Sequence, residues 1–262
     1  APPYRPPPMV LIPQLPEDVK ALSSLLCERA ERKVVLSVPK RGDGKVQLDL
    51  AMKNARLKYQ AESDKESRNI AATISLAKAI GINGPLSRIE CFDNSNIQGT
   101  NPVAACVVFK NARPSKKDYR HFNIRSVTSP DDFASMQEVV FRRYSRLINE
   151  NKSLPDLIII DGGKGQLSSS VKSLKSLGIE KKIVIIGIAK RLEEIYFYGE
   201  STPIYIDKRS PSLKLIQKLR DEAHRFSLRQ HRTRRDNSFL GTELQDITGI
   251  GEKTFLNLMK KY

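Results

Sequence analysis

The sequence has no tryptophan, few cysteines and no long apolar run, and each absence excludes a class of protein. Its three cysteines, Cys27, Cys91 and Cys106, are scattered and odd in number, so they indicate neither a disulfide framework nor a metal cluster. They favour a reducing, intracellular setting. No stretch is long enough to cross a bilayer and no signal peptide is visible, so we expect a cytoplasmic protein without a membrane partner.

What the sequence has in excess is positive charge. Lys and Arg number 45 against 29 Asp and Glu, which gives a formal net charge of +16 over 262 residues. Such an excess favours a polyanionic partner, most simply nucleic acid, over a merely solvated basic surface. Apolar residues make up 39% of the chain and charged residues 28%, which is typical of a soluble globular protein with one core and a smaller module.

Changes in pattern along the chain divide it into four predicted regions. Residues 1–15 are proline-rich and predict an extended linker. Residues 16–85 predict a helix, a short strand and a long helix that runs from Leu48 to about Ile80 and breaks in its polar middle. Residues 86–235 predict a domain of strands and helices, and residues 240–262 a small all-α module.

The order of elements after residue 86 predicts a mixed sheet. Three strands come first, and their short connections are typical of antiparallel neighbours. A helix, a strand, a helix and a strand follow, then a small hairpin and a helix that we expect to run from Ser210-Pro211 to about Arg229. One antiparallel arm with right-handed crossovers is the RNase H-like arrangement, an α/β fold whose mixed sheet is flanked by helices.

Two of the predicted strands end in an aspartate. The apolar run Leu157–Ile160 ends at Asp161, and the strand that begins at Arg88 ends at Asp93. In a sheet of this order the two strands can be neighbours, which would place the carboxylates side by side. Neighbouring carboxylates repel unless a cation joins them, and oxygen ligands with a phosphate substrate favour Mg²⁺ or Mn²⁺ for phosphodiester hydrolysis. The alternative for either aspartate is a helix cap or a surface ion pair.

A histidine and a further aspartate complete the candidate catalytic set. His224 lies beside Asp221 and Glu222 on a predicted helix, where a histidine can bind a metal or move a proton. It also borders the apolar stripe of that helix, so a partly buried structural histidine is the alternative. Asp132 belongs to the pair Asp131-Asp132 before a predicted helix, and a helix cap explains at least one of the two.

The loop after Asp161 is a candidate phosphate contact. Glycines at 162, 163 and 165 would let a polyanion approach the backbone, and Lys164 and Gln166 would hold the phosphate. No Gly-Lys-Ser/Thr closes the loop, so it is not a Walker A motif, and a nucleotide-binding α/β protein is the poorer hypothesis.

The last module adds a second candidate phosphate contact. Gly249-Ile-Gly251, followed by Lys253 and apolar positions at helical spacing, predicts the hairpin of a helix-hairpin-helix, which holds DNA without reading its sequence. An ordinary helical hairpin is the alternative. The other candidate DNA contacts are Arg220, Arg232, Arg234 and Arg235.

Four segments resemble the C-terminal half of UvrC, the incision subunit of the bacterial UvrABC excision nuclease. They are Ile89-Glu-Cys-Phe-Asp-Asn-Ser95, Ser129-Pro-Asp-Asp-Phe133, Pro155-Asp-Leu-Ile-Ile-Ile-Asp-Gly-Gly-Lys-Gly-Gln166 and Arg220-Asp-Glu-Ala-His-Arg-Phe226. The resemblance implies an RNase H-like domain, followed by helix-hairpin-helix motifs, that cuts DNA 5′ to a bulky lesion with a divalent metal. It places Asp93, Asp161 and His224 on the family's catalytic residues, and Asp132 on a further acidic position needed for that cut.

The resemblance also implies partners, namely damaged double-stranded DNA and UvrB in the bacterial cytoplasm. No GIY-YIG-type nuclease and no UvrB-binding coiled coil is evident, so we expect neither the 3′ cut nor the UvrB contact segment from this chain. One helix-hairpin-helix precedes Tyr262, so weaker DNA binding is expected. The competing hypothesis is a non-catalytic DNA-binding module with an inactive RNase H-like fold. An inactive copy would tend to lose Asp93, Asp161 or His224, and all three are present.

Overall fold

The computed structural model describes residues 5–95, 103–124, 131–189 and 194–245, with side chains described as far as Arg229 at the C-terminal end. Contacts between residues divide the chain into two compact units, residues 1–67 and residues 68–262. The predicted helix-hairpin-helix falls on residues outside the described ranges. No helix within those ranges combines the length and the apolarity that a membrane span requires.

The first unit contains a small parallel sheet and a capped helix. Helix α1 (Val19–Ala30) begins where the side chain of Asp18 accepts a hydrogen bond from the Ala21 amide at 3.0 Å, which confirms the predicted helix. Strands β1 (Met9–Leu11) and β2 (Val35–Ser37) pair in parallel. Strand β1 lies inside the proline-rich segment, and its three residues were too short a signal to predict.

Helix α2 (Asp43–Ala79) is continuous, so the predicted break in its middle is wrong. The segment from 45 to 79 contains neither glycine nor proline, so nothing in it interrupts the backbone hydrogen bonds. Its polar residues support the helix instead, as in the ion pair between Lys65 and Glu62 at 3.8 Å.

The second unit is built on a mixed sheet of seven strands within the described residues. The strands are β3 (Arg88–Ser95), β4 (Val103–Lys110), β5 (Arg113–Pro114), β6 (Arg120–Asn123), β7 (Leu157–Asp161), β8 (Val184–Ile188) and β9 (Ile195–Phe197). The order along the sheet is β5-β4-β3-β7-β8-β9, with β6 also paired to β4. Strand β3 is antiparallel to β4 and parallel to β7, while β8 is parallel to β7 and antiparallel to β9, which confirms the predicted mixed sheet.

Helices pack on this sheet and carry residues to its edge. They are α3 (Asp132–Asn149), α4 (Lys164–Ser176) and α5 (Pro211–Gln245), besides a 3-10 turn at Lys116–Asp118. Helix α3 packs against α4, and α5 packs against β3 and β4. Helix α5 was expected to end near Arg229, and that end is wrong. The helix continues because residues 230–240 contain neither glycine nor proline.

Candidate active site

Asp93 and Asp161 lie side by side on two neighbouring strands. Asp161 ends β7 as predicted, whereas β3 continues two residues beyond Asp93 to Ser95, so the predicted strand end at Asp93 is wrong. They are direct partners in the parallel register of β3 and β7, which lie about 4.8 Å apart as neighbouring strands do. Both are buried, with exposed fractions of 0% and 4%. The four apolar residues before Asp161 are buried as well, so β7 is a rigid support for its terminal carboxylate.

His224 joins this pair from helix α5. Its Nδ1 lies 3.4 Å from Oδ2 of Asp93, and its side chain is 52% exposed. Leu219 and Ala223 are fully buried against the sheet, which turns the next residue, His224, toward the rim of the acid pair. His224 is therefore half-exposed and lies against Asp93, a position that suits the predicted catalytic role.

Asp132 reaches the strand end from the opposite face of the sheet. Asp131 is the N-cap of α3, accepting from the amides of Phe133 and Ala134, so the cap does not explain Asp132. Nδ2 of Asn94 donates to Oδ1 of Asp132 at 3.2 Å. Side chains alternate along a strand, so Asn94 faces α3 while its neighbour Asp93 faces α5.

Asn94 is a site residue that the sequence analysis missed. It is 8% exposed, and its Oδ1 has no hydrogen-bond partner among the described residues. Because Nδ2 donates to Asp132, that oxygen is left as a buried acceptor on the α3 side of β3. A polar residue directly after Asp93 was the available signal.

The donor atoms of the site suit a hard divalent cation. Two carboxylates in paired register are the protein ligands that Mg²⁺ commonly uses, with substrate phosphate and water supplying the rest. No cluster of three or more His, Cys, Asp and Glu residues in the described part of the chain has the geometry to enclose a metal ion. The fit therefore rests on Asp93 and Asp161, while Nδ1 of His224 is directed at a carboxylate oxygen.

The loop after Asp161 is packed more tightly than the sequence suggested. A Cβ atom on Gly165 would lie 2.4 Å from a ring carbon of Phe133, and one on Gly162 would collide with the amide of Gln166. These two glycines leave room for neighbouring side chains, so they have a packing role, and their expected role in phosphate approach stays a prediction. Gly163 is exposed, and no described atom lies within 4 Å of a Cβ built there, so a polyanion can approach the backbone at Gly163.

The buried thiol of Cys91 is affected by the negative charges of the acid pair and by the positive charge of Arg220. Burial raises the pKa of the Cys91 thiol, and the negative charges of Asp161 and Asp93 raise it further, so the thiol is neutral and unreactive. Arg220 lies one helical turn before His224. Its positive charge lowers the pKa of the Cys91 thiol and so partly opposes the effect of the two aspartates. Its Nη2 lies 3.2 Å from Oδ1 of Asp221.

The other predicted DNA contacts are placed as follows. Nζ of Lys164 donates to the carbonyl of Ser201 and lies 5.0 Å from the ring centre of Tyr196, on the exposed side of α4. Gln166 is folded back over Gly162. The side chains of Arg232, Arg234 and Arg235 fall outside the described part of the chain. Gly249, Gly251 and Lys253 lie outside it altogether.

A buried ionic cluster below the site was also missed. Glu90 is fully buried and accepts hydrogen bonds from Arg143 at 2.8 and 3.1 Å, from Arg88 at 2.6 Å and from Tyr144 at 3.0 Å. Burial raises the pKa of Glu90, but the two arginines outweigh it and hold the pKa below its ordinary value. This ionised carboxylate ties α3, which carries Asp132, to the strand that carries Asp93.

Two family models match the chain. One, described as the UvrC RNAse H endonuclease domain, matches residues 77–228. The other, described as the UvrC Ribonuclease H-like domain, matches residues 3–62. The first covers all three of Asp93, Asp161 and His224.

Curated relatives match most of the chain at high identity. UvrABC system protein C of Christiangramia forsetii is 55% identical over 238 residues, which are 88% of this chain and 40% of that protein. UvrABC system protein C of Flavobacterium johnsoniae is 54% identical over 233 residues, 86% of this chain and 39% of that protein. The chain thus spans about two fifths of the length of these relatives.

Among solved structures, the chain has a distant likeness to endonuclease V of Ciona intestinalis in complex with a 24mer DNA. The TM-score is 0.31 at 15% identity, over 62% of this chain and 68% of that one.

Proposed function

We propose that this chain, which belongs to the UvrC family, hydrolyses a DNA phosphodiester on the 5′ side of a bulky lesion. The observation that carries the proposal is the paired register of Asp93 and Asp161, with His224 against Asp93. The net charge of +16 suits a DNA substrate. UvrB is the proposed protein partner, since the relatives are components of the UvrABC system.

In this proposal His224 moves the proton. Nδ1 of His224 faces Oδ2 of Asp93 at 3.4 Å, which orients the ring and leaves Nε2, on the far side of the ring, able to accept a proton. The half-exposed ring can then take a proton from the attacking water, whose oxygen bonds to phosphorus as the bond to the leaving deoxyribose oxygen breaks. This geometry favours a proton-transfer role for His224 over direct binding of a metal.

Asp93 and Asp161 are the proposed ligands of Mg²⁺ or Mn²⁺. When bound, such an ion makes water more acidic and stabilises the negative charge that develops on the phosphate oxygens. Two buried carboxylates with like charge repel each other, so their proximity supports a cation between them. The two carboxylates are pre-positioned by their strands, which keeps the site from rearranging when substrate binds.

The competing proposal, a non-catalytic DNA-binding module, is not favoured. An inactive module would tend to lose or displace at least one member of the catalytic set. Asp93 and Asp161 are instead in direct register, and His224 lies 3.4 Å from Asp93. Asp132 is joined to the strand end by Asn94.

The proposal is tested on a duplex that carries one bulky adduct and a 5′ label on the damaged strand. With the other UvrABC subunits and Mg²⁺, we expect a single cut on the 5′ side of the adduct, and EDTA should abolish it because the acid pair needs a cation. The chain alone is assayed in parallel with Mn²⁺. Incision that is unaffected by EDTA, or no incision in either assay, would overturn the proposal. A cut by the chain alone that the other subunits do not stimulate would overturn only the proposed partnership.

A further inference from the structure

We propose that the outer face of helix α4 and strand β9 binds the phosphate backbone of a DNA strand beside the cut. The contact is made by the tyrosine–lysine ladder, which we define as Lys164 with Tyr196 and Lys175 with Tyr198. This inference rests on the DNA nuclease function proposed above, and it assigns a surface that the acid pair does not include.

The first rung of the ladder lies next to the acid pair. Lys164 is the first residue of α4 and follows Asp161 by three positions. Its ammonium group lies 5.0 Å from the ring centre of Tyr196, and it donates to the carbonyl of Ser201. A cation over an aromatic face is attracted by the ring, so this ammonium is held in place while Lys164 remains exposed.

The second rung repeats this arrangement farther along the helix. Nζ of Lys175 lies 4.8 Å from the ring centre of Tyr198 and 3.2 Å from its hydroxyl oxygen. At 1.5 Å per residue, Lys175 lies about 16 Å along α4 from Lys164. This length corresponds to about five nucleotides of one strand in a B-form duplex. Lys172, also exposed, lies between the two rungs on the same helix.

Glu194 is the opposing charge on this surface. The hydroxyl groups of Tyr196 and Tyr205 both donate to its carboxylate, the latter at 2.8 Å. These hydrogen bonds, that of Tyr196 first, lower the pKa of Glu194, so it is ionised and keeps the two rings fixed. The carboxylate thus holds Tyr196 under Lys164, and the positive charge of Lys164 also lowers its pKa, so the negative charge of Glu194 is opposed by the first rung itself.

If the two lysine–tyrosine contacts served only to pack β9 against α4, apolar side chains would be sufficient. Lys175 spends one of its three donors on Tyr198 and has the others available to solvent or to a phosphate. Fixing an ammonium group before binding lowers the entropy cost of a phosphate contact. Such contacts position DNA without reading its sequence, which suits a nuclease whose site of action is set by a lesion.

The test uses Lys175→Gln, which removes the charge and keeps the first two methylene groups and a polar end. The matched control is Lys182→Gln. Lys182 is exposed and lies just before β8, at the opposite end of that strand from Ile188, which pairs with Asp161. Binding of a fluorescent duplex is measured from 50 to 200 mM salt, with Asp161→Asn in every protein to prevent cleavage. We expect Lys175→Gln to weaken binding about 3- to 10-fold and to reduce the salt slope by about 1.

Two further variants separate charge from folding. Lys175→Arg should restore the salt slope, and Tyr198→Leu should weaken binding because the ammonium loses its support. Circular dichroism melting checks that each variant folds. The ladder is rejected if Lys175→Gln changes binding and slope no more than Lys182→Gln does, even when the wild type incises damaged DNA. If Lys175→Gln lowers the slope but the wild type does not incise, the ladder stands and the nuclease proposal fails. If the protein with Asp161→Asn alone binds no DNA and the wild type binds none either, the ladder and the nuclease proposal are both wrong.

Discussion

Asp161→Asn reduces incision of damaged duplex by about 10³-fold or more, while DNA binding stays within about two-fold. The amide keeps the shape of the side chain at the end of β7 but removes the negative charge beside Asp93. The proposed cation then loses one of its two protein carboxylates. Single-turnover incision on the 5′-labelled duplex measures the first effect, and fluorescence anisotropy with the same duplex measures the second.

The control for this variant lies at the other end of the same strand. Oδ2 of Asp156 accepts from the amides of Ser87 and Arg88 at 2.7 and 2.8 Å, so its role is structural. Asp156→Asn removes the same charge and keeps an acceptor oxygen, and incision should stay within about three-fold of wild type. If Asp161→Asn still cuts at the wild-type rate, the assignment of the acid pair is wrong.

Arg143→Met lowers the free energy of unfolding by about 3–5 kcal/mol, because it leaves the buried carboxylate of Glu90 without its main partner. The measurement is urea denaturation at pH 7. Glu90→Gln together with Arg143→Met should recover part of the loss, since the double variant has no buried charge to compensate.

Another arginine of α3 provides the matched control. The side chain of Arg146 is 70% exposed and pairs with Glu150, four residues later, at 2.6 Å. Arg146→Met should therefore cost no more than about 1 kcal/mol. Equal losses for Arg146→Met and Arg143→Met would show that the buried cluster does not stabilise the fold.

The loss of unfolding free energy in Arg143→Met should depend on pH in one direction. The folded-state pKa of Glu90 lies below its ordinary value of 4.5, so its stabilising contribution is present above pH 4.5 and is lost as pH falls through the lower folded value. In Arg143→Met, burial raises the pKa of Glu90 above 4.5, and protonation of Glu90 relieves the penalty. The difference in unfolding free energy between wild type and variant should therefore begin to narrow above pH 4.5, as pH falls through the raised pKa of the variant, and narrow further below pH 4.5 as wild type loses its own contribution.

The sequence predicts the sheet and the acid pair because their signals are local. An apolar run that ends in Asp161 and a second strand that contains Asp93 are visible without any knowledge of packing, although the end of the second strand at Ser95 is not. The order of elements then makes the two strands neighbours, as their parallel register confirms. The helix that carries His224 is also visible from its apolar spacing, although its continuation to Gln245 is not.

The remaining features depend on contacts between distant segments, which no local pattern reveals. Glu90 is ionised in the core because Arg143, 53 residues away, meets it there. Gly165 reads as a flexible loop residue until the ring of Phe133 is seen to occupy the space beside it. The hydrogen bond from Asn94 to Asp132 likewise joins two segments through the tertiary fold alone.

Anomalous diffraction from crystals of this protein soaked in Mn²⁺ tests the central claim most directly. The account predicts an anomalous peak about 2.1 Å from carboxylate oxygens of both Asp93 and Asp161, and its loss in Asp161→Asn crystals treated identically. Manganese that is bound by other groups, with none between these two carboxylates, would contradict the account.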